Sequence, residues 1–347
     1  MIKSLFLLMS LAQTLYEPLR IDGLLSADMN GDGRPDLLTQ SPDGFGVHLN
    51  RGGMKFEAVA RVVKIGIGEP GGAALADVNQ DGKLDLIAGS HDSYRIAVLV
   101  GDGKGGFRAT AQSPLIPRTG GKPHNHALTV ADLNGDGHLD IVSANIDDGT
   151  LTIYWGDGKG SFGLAKNSGM KAGAGAYRVL AADLNRDGVT DLVVGGEGIV
   201  VAMGSGGGEF RVVEADPKLR KIRSPHLPIV DWNGDGKLDV VAGPGEDGWL
   251  TVCLGDNKGG LQVSEAKIDL GSRGWQFVVA DLNRDGSLDI VFAANEKVVH
   301  RKKQGLKQYE TQGSTWHLTV ADFDGDSRDD IASASTDSKS VQFFLKP

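Results

Sequence analysis

The stretch "ADLNGDGHLD", residues 131–140, carries four acidic or amide side chains within nine residues. Asp132, Asn134 and Asp136 occupy every second position, a glycine follows, and Asp140 ends the phrase. Like charges at this density repel one another. The phrase is therefore favourable only if a cation or a set of hydrogen bonds offsets the repulsion.

Nearly the same phrase occurs seven times, at intervals of 41 to 55 residues. Each copy follows a short apolar stretch and precedes a β-branched or aliphatic run, as "HALTVA" and "DIVSAN" do around the third copy. Repeats of this length are typical of four-stranded propeller blades. No long segment carries helical periodicity between helix caps. The sequence thus predicts an all-β fold, a seven-bladed β-propeller of four-stranded blades.

The two chain ends complement each other. The last repeat supplies three strand-like segments, "HLTVAD", "DIASAS" and "VQFFL", whereas residues 14–21 form an additional strand-like segment before the first repeat. We predict that residues 14–21 supply the outer strand of the last blade, because this pairing removes an open sheet edge.

The N-terminus has the pattern of a secretory signal peptide. Lys3 precedes the short apolar run "LFLLMSLA", which ends in small residues. We predict a signal peptide over residues 1–12 and one propeller domain over 13–347, in a protein that is secreted, periplasmic or on the cell surface. The alternative is a buried first strand. No apolar run is long enough to span a membrane.

The composition excludes some classes of partner and of cross-link. The 347 residues carry a formal charge of −9, which argues against nucleic acid as a partner. Cys253 is the single cysteine, so no internal disulfide can form, and its apolar neighbours predict a buried thiol.

If the phrase curls tightly, five of its oxygen atoms would converge on one point. Side chains at positions 1, 3, 5 and 9 and the carbonyl at position 7 supply a hard, anionic ligand set that suits Ca²⁺, and we predict up to seven calcium ions. The alternative is an Asx-rich turn without metal, and the number of copies favours metal. The seventh copy departs from the rest, because Ser327 replaces the glycine and Asp324 replaces asparagine.

The predicted ligands fall into five sets. Position 1 holds Asp28, Asp77, Asp132, Asp183, Asp231, Asp281 and Asp322. Position 3 holds Asn30, Asn79, Asn134, Asn185, Asn233, Asn283 and Asp324, and position 5 holds Asp32, Asp81, Asp136, Asp187, Asp235, Asp285 and Asp326. The position 7 carbonyls belong to Arg34, Lys83, His138, Val189, Lys237, Ser287 and Arg328, and position 9 holds Asp36, Asp85, Asp140, Asp191, Asp239, Asp289 and Asp330.

These phrases, together with turns such as "GDGKGGF" (101–107) and "GDGKGSF" (156–162), resemble the FG-GAP/VCBS repeats of integrin-α-type seven-bladed propellers. The resemblance covers nearly all of residues 14–347 and implies the fold and the ions. It does not specify an activity, because the family includes adhesion modules, lectins and lyases. The first and sixth repeats depart from the turn pattern.

Residues shortly before each phrase should line the opposite face of the propeller. Aromatic, imidazole, guanidinium and amide groups there can bind a sugar or a peptide. We predict a ligand site from His126, Tyr177, Arg178, His226, Trp275, Gln276, Trp316 and His317. The alternative is that these side chains only fill the channel mouth.

Two functions remain open. The first is a calcium-binding adhesion or binding module for a carbohydrate or an extracellular protein, which the lack of any recognisable catalytic motif favours. The second is a polysaccharide lyase, in which histidine abstracts a proton beside a uronate carboxylate and arginine stabilises the enolate. Bare scaffolding is a third possibility.

Overall fold

The computed structural model of the chain describes residues 11–17, 20–57, 61–116, 127–213, 216–243, 248–270, 274, 276–302 and 305–345. Within those residues the regular structure consists of 27 strands and one 3-10 helix, Leu219–Lys221. The prediction of an all-β fold is therefore confirmed.

The strands follow one another in short antiparallel hairpins. The first nine are β1 (Leu11–Tyr16), β2 (Gly23–Ala27), β3 (Asp36–Ser41), β4 (Gly44–His48), β5 (Arg61–Val63), β6 (Pro70–Ala76), β7 (Asp85–Ser90), β8 (Ile96–Gly101) and β9 (Phe107–Ala109). The next nine are β10 (Ala127–Ala131), β11 (Asp140–Asn145), β12 (Thr150–Gly156), β13 (Phe162–Leu164), β14 (Met170–Lys171), β15 (Arg178–Ala182), β16 (Asp191–Gly195), β17 (Ile199–Gly204) and β18 (Phe210–Val212). The last nine are β19 (Ile229–Val230), β20 (Asp239–Ala242), β21 (Trp249–Gly255), β22 (Leu261–Asp269), β23 (Phe277–Ala280), β24 (Asp289–Lys302), β25 (Gly305–Ala321), β26 (Asp330–Ser335) and β27 (Ser340–Phe344).

Hydrogen bonds group these strands into six sheets. Four sheets have four strands in chain order, β2–β5, β6–β9, β15–β18 and β19–β22, and a fifth contains β10–β13 with β14 added beside β12. The sixth has the order β1-β27-β26-β25-β24-β23. The fold is a β-propeller of four-stranded blades, but the predicted count of seven blades is not confirmed. The reason is that β25 pairs with β24 over its first part and with β26 over its second, which joins the sixth and seventh repeats in one sheet.

The N-terminal strand closes the last sheet. Thr14 pairs with Gln342 and Leu15 with Val341 in an antiparallel register between β1 and β27. The predicted pairing is confirmed with shifted bounds, since the strand covers residues 11–16 instead of 14–21. The Glu17 N–H still donates to the Lys339 carbonyl at 2.7 Å, after which the chain crosses to the first sheet. Residues 1–10, most of the predicted signal peptide, lie outside the described residues.

Glycine ends the third strand of several repeats because two backbone segments meet there. A Cβ atom at Gly156 would lie 2.1 Å from the carbonyl oxygen of Leu139, and Gly101 and Gly255 show the same 2.1 Å approach to Leu84 and Leu238. No side chain fits at that distance. The phrase and the glycine-rich turn are thus held against each other within each of these repeats.

The core is divided into layers between successive repeats. The described residues contain seven clusters of buried apolar side chains, such as the one that joins Val98 on β8 to Ile141 on β11. Another joins Val291 on β24 to Ile331 on β26, within the six-stranded sheet. Cys253 is buried, as predicted. Burial of these faces against one another stabilises the ring of sheets.

Among the described residues, no helix is long and apolar enough to cross a membrane.

Candidate functional site

The acidic phrases form tight loops between the first and second strands of each repeat. In the third loop, the carboxylate of Asp132 accepts the N–H groups of Gly135 and Gly137 at 2.7 and 2.9 Å. The Asn134 carbonyl accepts the Asp136 N–H at 2.8 Å, and Asp136 accepts the His138 N–H at 2.8 Å. Side chains at positions 1, 3 and 5 therefore turn inward toward their own backbone, as the sequence predicts for a curled loop.

The aspartate at position 9 ties each loop to its sheet. Asp140 is fully buried, and its two oxygens accept the N–H groups of Leu133 and Gly156, both at 2.8 Å. Similar pairs of bonds recur at the equivalent aspartates Asp36, Asp85, Asp191 and Asp239, where one donor is at position 2 and the other is at the end of the third strand or, for Asp36, two residues beyond it. This structural role was not apparent from the sequence, because the donor on the third strand lies 13 to 16 residues away in these loops.

The loops have the electrostatics of a cation site. Burial raises the pKa of Asp140 to about 6, and the nearby Asp136 and Asp132 add to the rise while two backbone hydrogen bonds oppose it. Asp36 shows the same rise to about 6 for the same reasons. In the seventh loop, carboxylate oxygens of Asp322, Asp324 and Asp330 lie within 4.8 Å of one another. An all-oxygen, anionic donor set of this kind fits a divalent cation such as Ca²⁺.

The sixth loop differs from the others. The carboxylate of Asp289 lies 3.2 Å from Nε2 of His300, and both side chains are buried. His300 sits on the second half of β24, in the repeat whose glycine-rich turn departs from the pattern. A histidine beside this carboxylate distinguishes the sixth loop from the five loops in which backbone N–H groups occupy the corresponding place.

The opposite ends of the inner strands converge on a second group of side chains. Each inner strand runs from this end to its acidic loop, so a strand such as β15 separates the two faces by about 16 Å, at 3.3 Å per residue. Tyr177 and Arg178 lie at the start of β15, His226 precedes β19, and His317 lies within β25. We call Tyr177, Arg178, His226 and His317 the channel cluster.

Arg178 is the centre of the channel cluster. Its Nε donates to the carbonyl oxygen of Pro225 at 3.2 Å. It retains some solvent-accessible surface, yet protein atoms surround it. No described carboxylate forms an ion pair with it, and burial lowers the pKa of the guanidinium from its ordinary value. A buried cation without an anionic partner attracts an anion.

Both histidines of the cluster are neutral at physiological pH. Burial and, to a smaller extent, the charge of Arg178 together lower the pKa of His317 to about 4. Burial, Arg178 and His317 together hold the pKa of His226 well below its usual range. Burial raises the pKa of Tyr177, with Arg178 opposing. The cluster therefore presents one cation among three neutral polar groups.

The remaining predicted ligand residues have different outcomes. The Gln276 side chain accepts the Leu318 N–H at 3.0 Å, which links the inner strands of two repeats and makes Gln276 a structural contact. Trp316 is half-buried, next to His317 in the chain. His126 and Trp275 lie outside the described residues.

A buried pair near the chain closure was not apparent from the sequence. Nε2 of His48 contacts Oε1 of Glu17, and the Thr39 hydroxyl donates to the same oxygen at 3.1 Å. Nδ1 of His48 lies 3.1 Å from the Glu57 carbonyl oxygen. Glu17 directly follows β1, so this contact joins the closing strand to the first repeat.

The family assignment agrees with this architecture. A model of the FG-GAP-like repeat matches residues 28–88, 77–143, 132–194 and 231–292, which is more than half of the chain. Each match begins at the first aspartate of a phrase. The chain belongs to the FG-GAP-like repeat family. No curated protein matches this sequence.

Solved structures of the same fold have diverse functions. One is an Agrocybe aegerita lectin solved for its recognition of non-reducing terminal N-acetylglucosamine; it is 24% identical, with a TM-score of 0.62 and coverage of 86% of this chain and 82% of the lectin. Another is BBS1N in complex with ARL6DN, 12% identical with a TM-score of 0.65, covering 97% and 96%. A third is virginiamycin B lyase from Staphylococcus aureus, 12% identical with a TM-score of 0.58, covering 96% and 98%. At these identities the likeness shows the fold alone.

Proposed function

We propose that the chain is an exported, calcium-binding β-propeller that acts as an adhesion or binding module. It binds a carbohydrate or an extracellular protein, and the channel cluster holds an anionic group of that ligand. The observation that carries the proposal is the buried guanidinium of Arg178, which has no carboxylate partner among the described residues. A carboxylate on the ligand would supply that partner, and the planar guanidinium can bind it with two hydrogen bonds.

The neutral members of the cluster suit a sugar acid. The imidazoles of His226 and His317 and the Tyr177 hydroxyl can each donate and accept hydrogen bonds, which matches the hydroxyl groups of a saccharide. The half-buried indole of Trp316 adds an apolar surface beside them. A uronate therefore matches the cluster better than a neutral sugar, and the lectin of the same fold is compatible with carbohydrate binding.

Calcium would act as a structural ion on the other face. The all-oxygen loops, the raised pKa of Asp140 and the grouped carboxylates of the seventh loop support this role. Affinities of about 0.1–1 mM are typical of extracellular calcium modules. Because the protein has no disulfide, the ions would be its main cross-links.

Seven blades are the architecture that this proposal requires. Seven acidic phrases support the count, as do the seven apolar clusters, one of which packs β24 against β26 inside the six-stranded sheet. On this view the six-stranded sheet contains the sixth and seventh blades, joined by the continuous β25.

A titration with trigalacturonate in calcium tests the binding function, with a neutral trisaccharide as the control ligand. Arg178→Gln should weaken trigalacturonate binding about tenfold, as expected for the loss of a charge-assisted hydrogen bond. Arg220→Gln, at an exposed position on the 3-10 helix, is the matched control and should bind as the wild type does. Equal binding by wild type and Arg178→Gln would reject the channel cluster as the site.

The second candidate function is a lyase. Two neutral imidazoles beside a guanidinium are the groups that proton abstraction next to a uronate carboxylate needs, a base and a cation for the enolate. A lyase of the same fold is compatible with this chemistry. Release of unsaturated oligosaccharides from polygalacturonate, lost in His226→Gln or His317→Gln, would establish it. Retention of the polymer without release would favour the binding module.

A further inference from the structure

A cavity separate from the channel cluster lies between the second and third repeats. It has a volume of about 770 Å³, within the range of small-molecule sites. Its walls include Asn79 and Lys83 of the second acidic loop, Phe107 and Arg108 of β9, and the turn from Lys159 to Ser161. It therefore opens on the acidic-loop face, the face opposite the channel cluster.

The segment that follows β9 builds one wall of this cavity, with Thr110, Ala111 and Gln112. There the Gln112 side chain accepts the Phe162 N–H at 2.8 Å, which fixes the second repeat to the third. This bond holds the wall in place between the two repeats.

The charged groups around the cavity leave two cations unpaired. Lys83 lies 3.2 Å from Asp81, and Asp102 accepts the N–H groups of Lys104 and Gly106 in its own turn. The two other cations that line the cavity are Arg108 and Lys159. No described carboxylate lies within ion-pair distance of either, although the charge of Lys159 contributes to the lowered pKa of the nearby Asp157, and both side chains are exposed.

The wall of the cavity also offers an apolar surface. Phe107, half-buried in the wall, adds an apolar ring of the kind that packs on a sugar. Thr110 lines the cavity, but its Oγ1 is buried from solvent and does not face the cavity.

We propose that this inter-repeat cavity is a second binding site, for a saccharide unit that carries a carboxylate. Arg108 and Lys159 bind the carboxylate, and Phe107 packs against the ring. The site is independent of the channel cluster, so the protein holds an acidic polysaccharide at two points, one on each face.

The repeats provide a matched control for the test. Lys159 and Lys258 occupy the same place in equivalent glycine-rich turns, but only Lys159 lines the cavity.

Calorimetric titration with trigalacturonate, in calcium, measures both the number of sites and their affinities. In the Arg178→Gln background, which removes the channel contribution, one site should remain. Adding Arg108→Gln with Lys159→Gln should weaken that site at least about tenfold. Lys258→Gln should have no effect, and a neutral trisaccharide should bind weakly to every variant.

The outcomes separate this proposal from the channel function. Binding that Arg178→Gln abolishes completely would leave the channel site standing and overturn the cavity site. Binding that is unchanged by Arg178→Gln but lost in the Arg108/Lys159 variant would support the cavity site and reject the channel site. No saturable binding of trigalacturonate by the wild type, or a loss equal in Lys258→Gln, would overturn the cavity proposal.

Discussion

The two faces of the propeller contrast in how they use the repeat. The acidic-loop face presents nearly the same phrase seven times, with the position 9 aspartate tied to the sheet by similar bonds in most copies. The channel cluster on the other face draws on only three places in the chain, around Arg178, His226 and His317. Repeated residues thus build the scaffold, whereas unrepeated residues carry the chemistry that distinguishes this propeller from another.

Removal of calcium by a chelator should destabilise the acidic-loop face, and we expect this change to have the largest effect on stability. At a free calcium concentration of ten times Kd, each filled loop contributes about 1.4 kcal/mol to the free energy of unfolding. We expect excess EGTA to lower the melting temperature by more than about 5 °C, because the unscreened carboxylates then repel one another. Thermal melting followed by circular dichroism measures the shift, and re-addition of calcium should restore it. A melting temperature that is indifferent to EGTA would mean that the loops work without metal.

A fall in pH should lower the stability of the protein through the neutral histidines of the channel cluster. The folded-state pKa of His317 is about 4, below its ordinary value of 6.5, so the unfolded chain binds the proton first. Stability is therefore full above pH 6.5 and is lost as the pH falls toward 4, by up to about 3 kcal/mol from this residue. His226, Arg178 and Tyr177 share the same environment.

The comparison of wild type with His317→Gln isolates this contribution. Urea unfolding at several pH values should give a shallower loss of stability below pH 6.5 in the variant, because glutamine does not titrate. Parallel curves for the two proteins would contradict the assigned position of His317 in the channel.

The closing strand offers a test outside both faces. Glu17→Gln removes the charged partner of buried His48 and weakens the bond from Thr39. We expect a loss of about 2 kcal/mol in the free energy of unfolding, at the lower end for a broken buried pair with remaining hydrogen bonds. Glu310→Gln, whose partner Lys297 is exposed, serves as the control and should cost less than about 0.5 kcal/mol. Equal losses in the two variants would argue against a special role for the closure.

The smallest expected effect lies within the repeat itself. Ser327 occupies position 6 of the seventh loop with a φ of 71°, where the other loops have glycine, such as Gly137 at 82° and Gly286 at 81°. Ser327→Gly should stabilise the protein by about 0.5–1 kcal/mol, because the left-handed conformation strains any residue with a Cβ atom. Gly286→Ser is the reciprocal variant and should destabilise by a similar amount. Chemical unfolding of both variants in calcium makes the comparison.

The sequence predicted the loops better than the sheets between them. It predicted a curled phrase at Asp132–Asp140, and the loop is curled. It also predicted, from their position relative to each inner strand, a ligand site with Arg178, His226 and His317, whose ligand role stays a prediction. It placed the closing strand three residues too late, since strand propensity alone did not define the register with Gln342. It took Gln276 for a ligand residue, whereas the amide links two inner strands.

Periodic features could be predicted from the sequence because each copy of the repeat has the same local pattern and the same local interactions. The phrase, the strand-forming runs and the glycine turns fix an all-β repeat before any contact between repeats is known. What only the tertiary structure decided depends on neighbours distant in the chain. The pairing of Glu17 with His48, the burial that keeps the histidines neutral and the cavity between the second and third repeats all arise where different segments meet. Burial and interatomic distance depend on how distant segments pack in the folded protein. They therefore cannot be predicted from the local sequence pattern around a single residue.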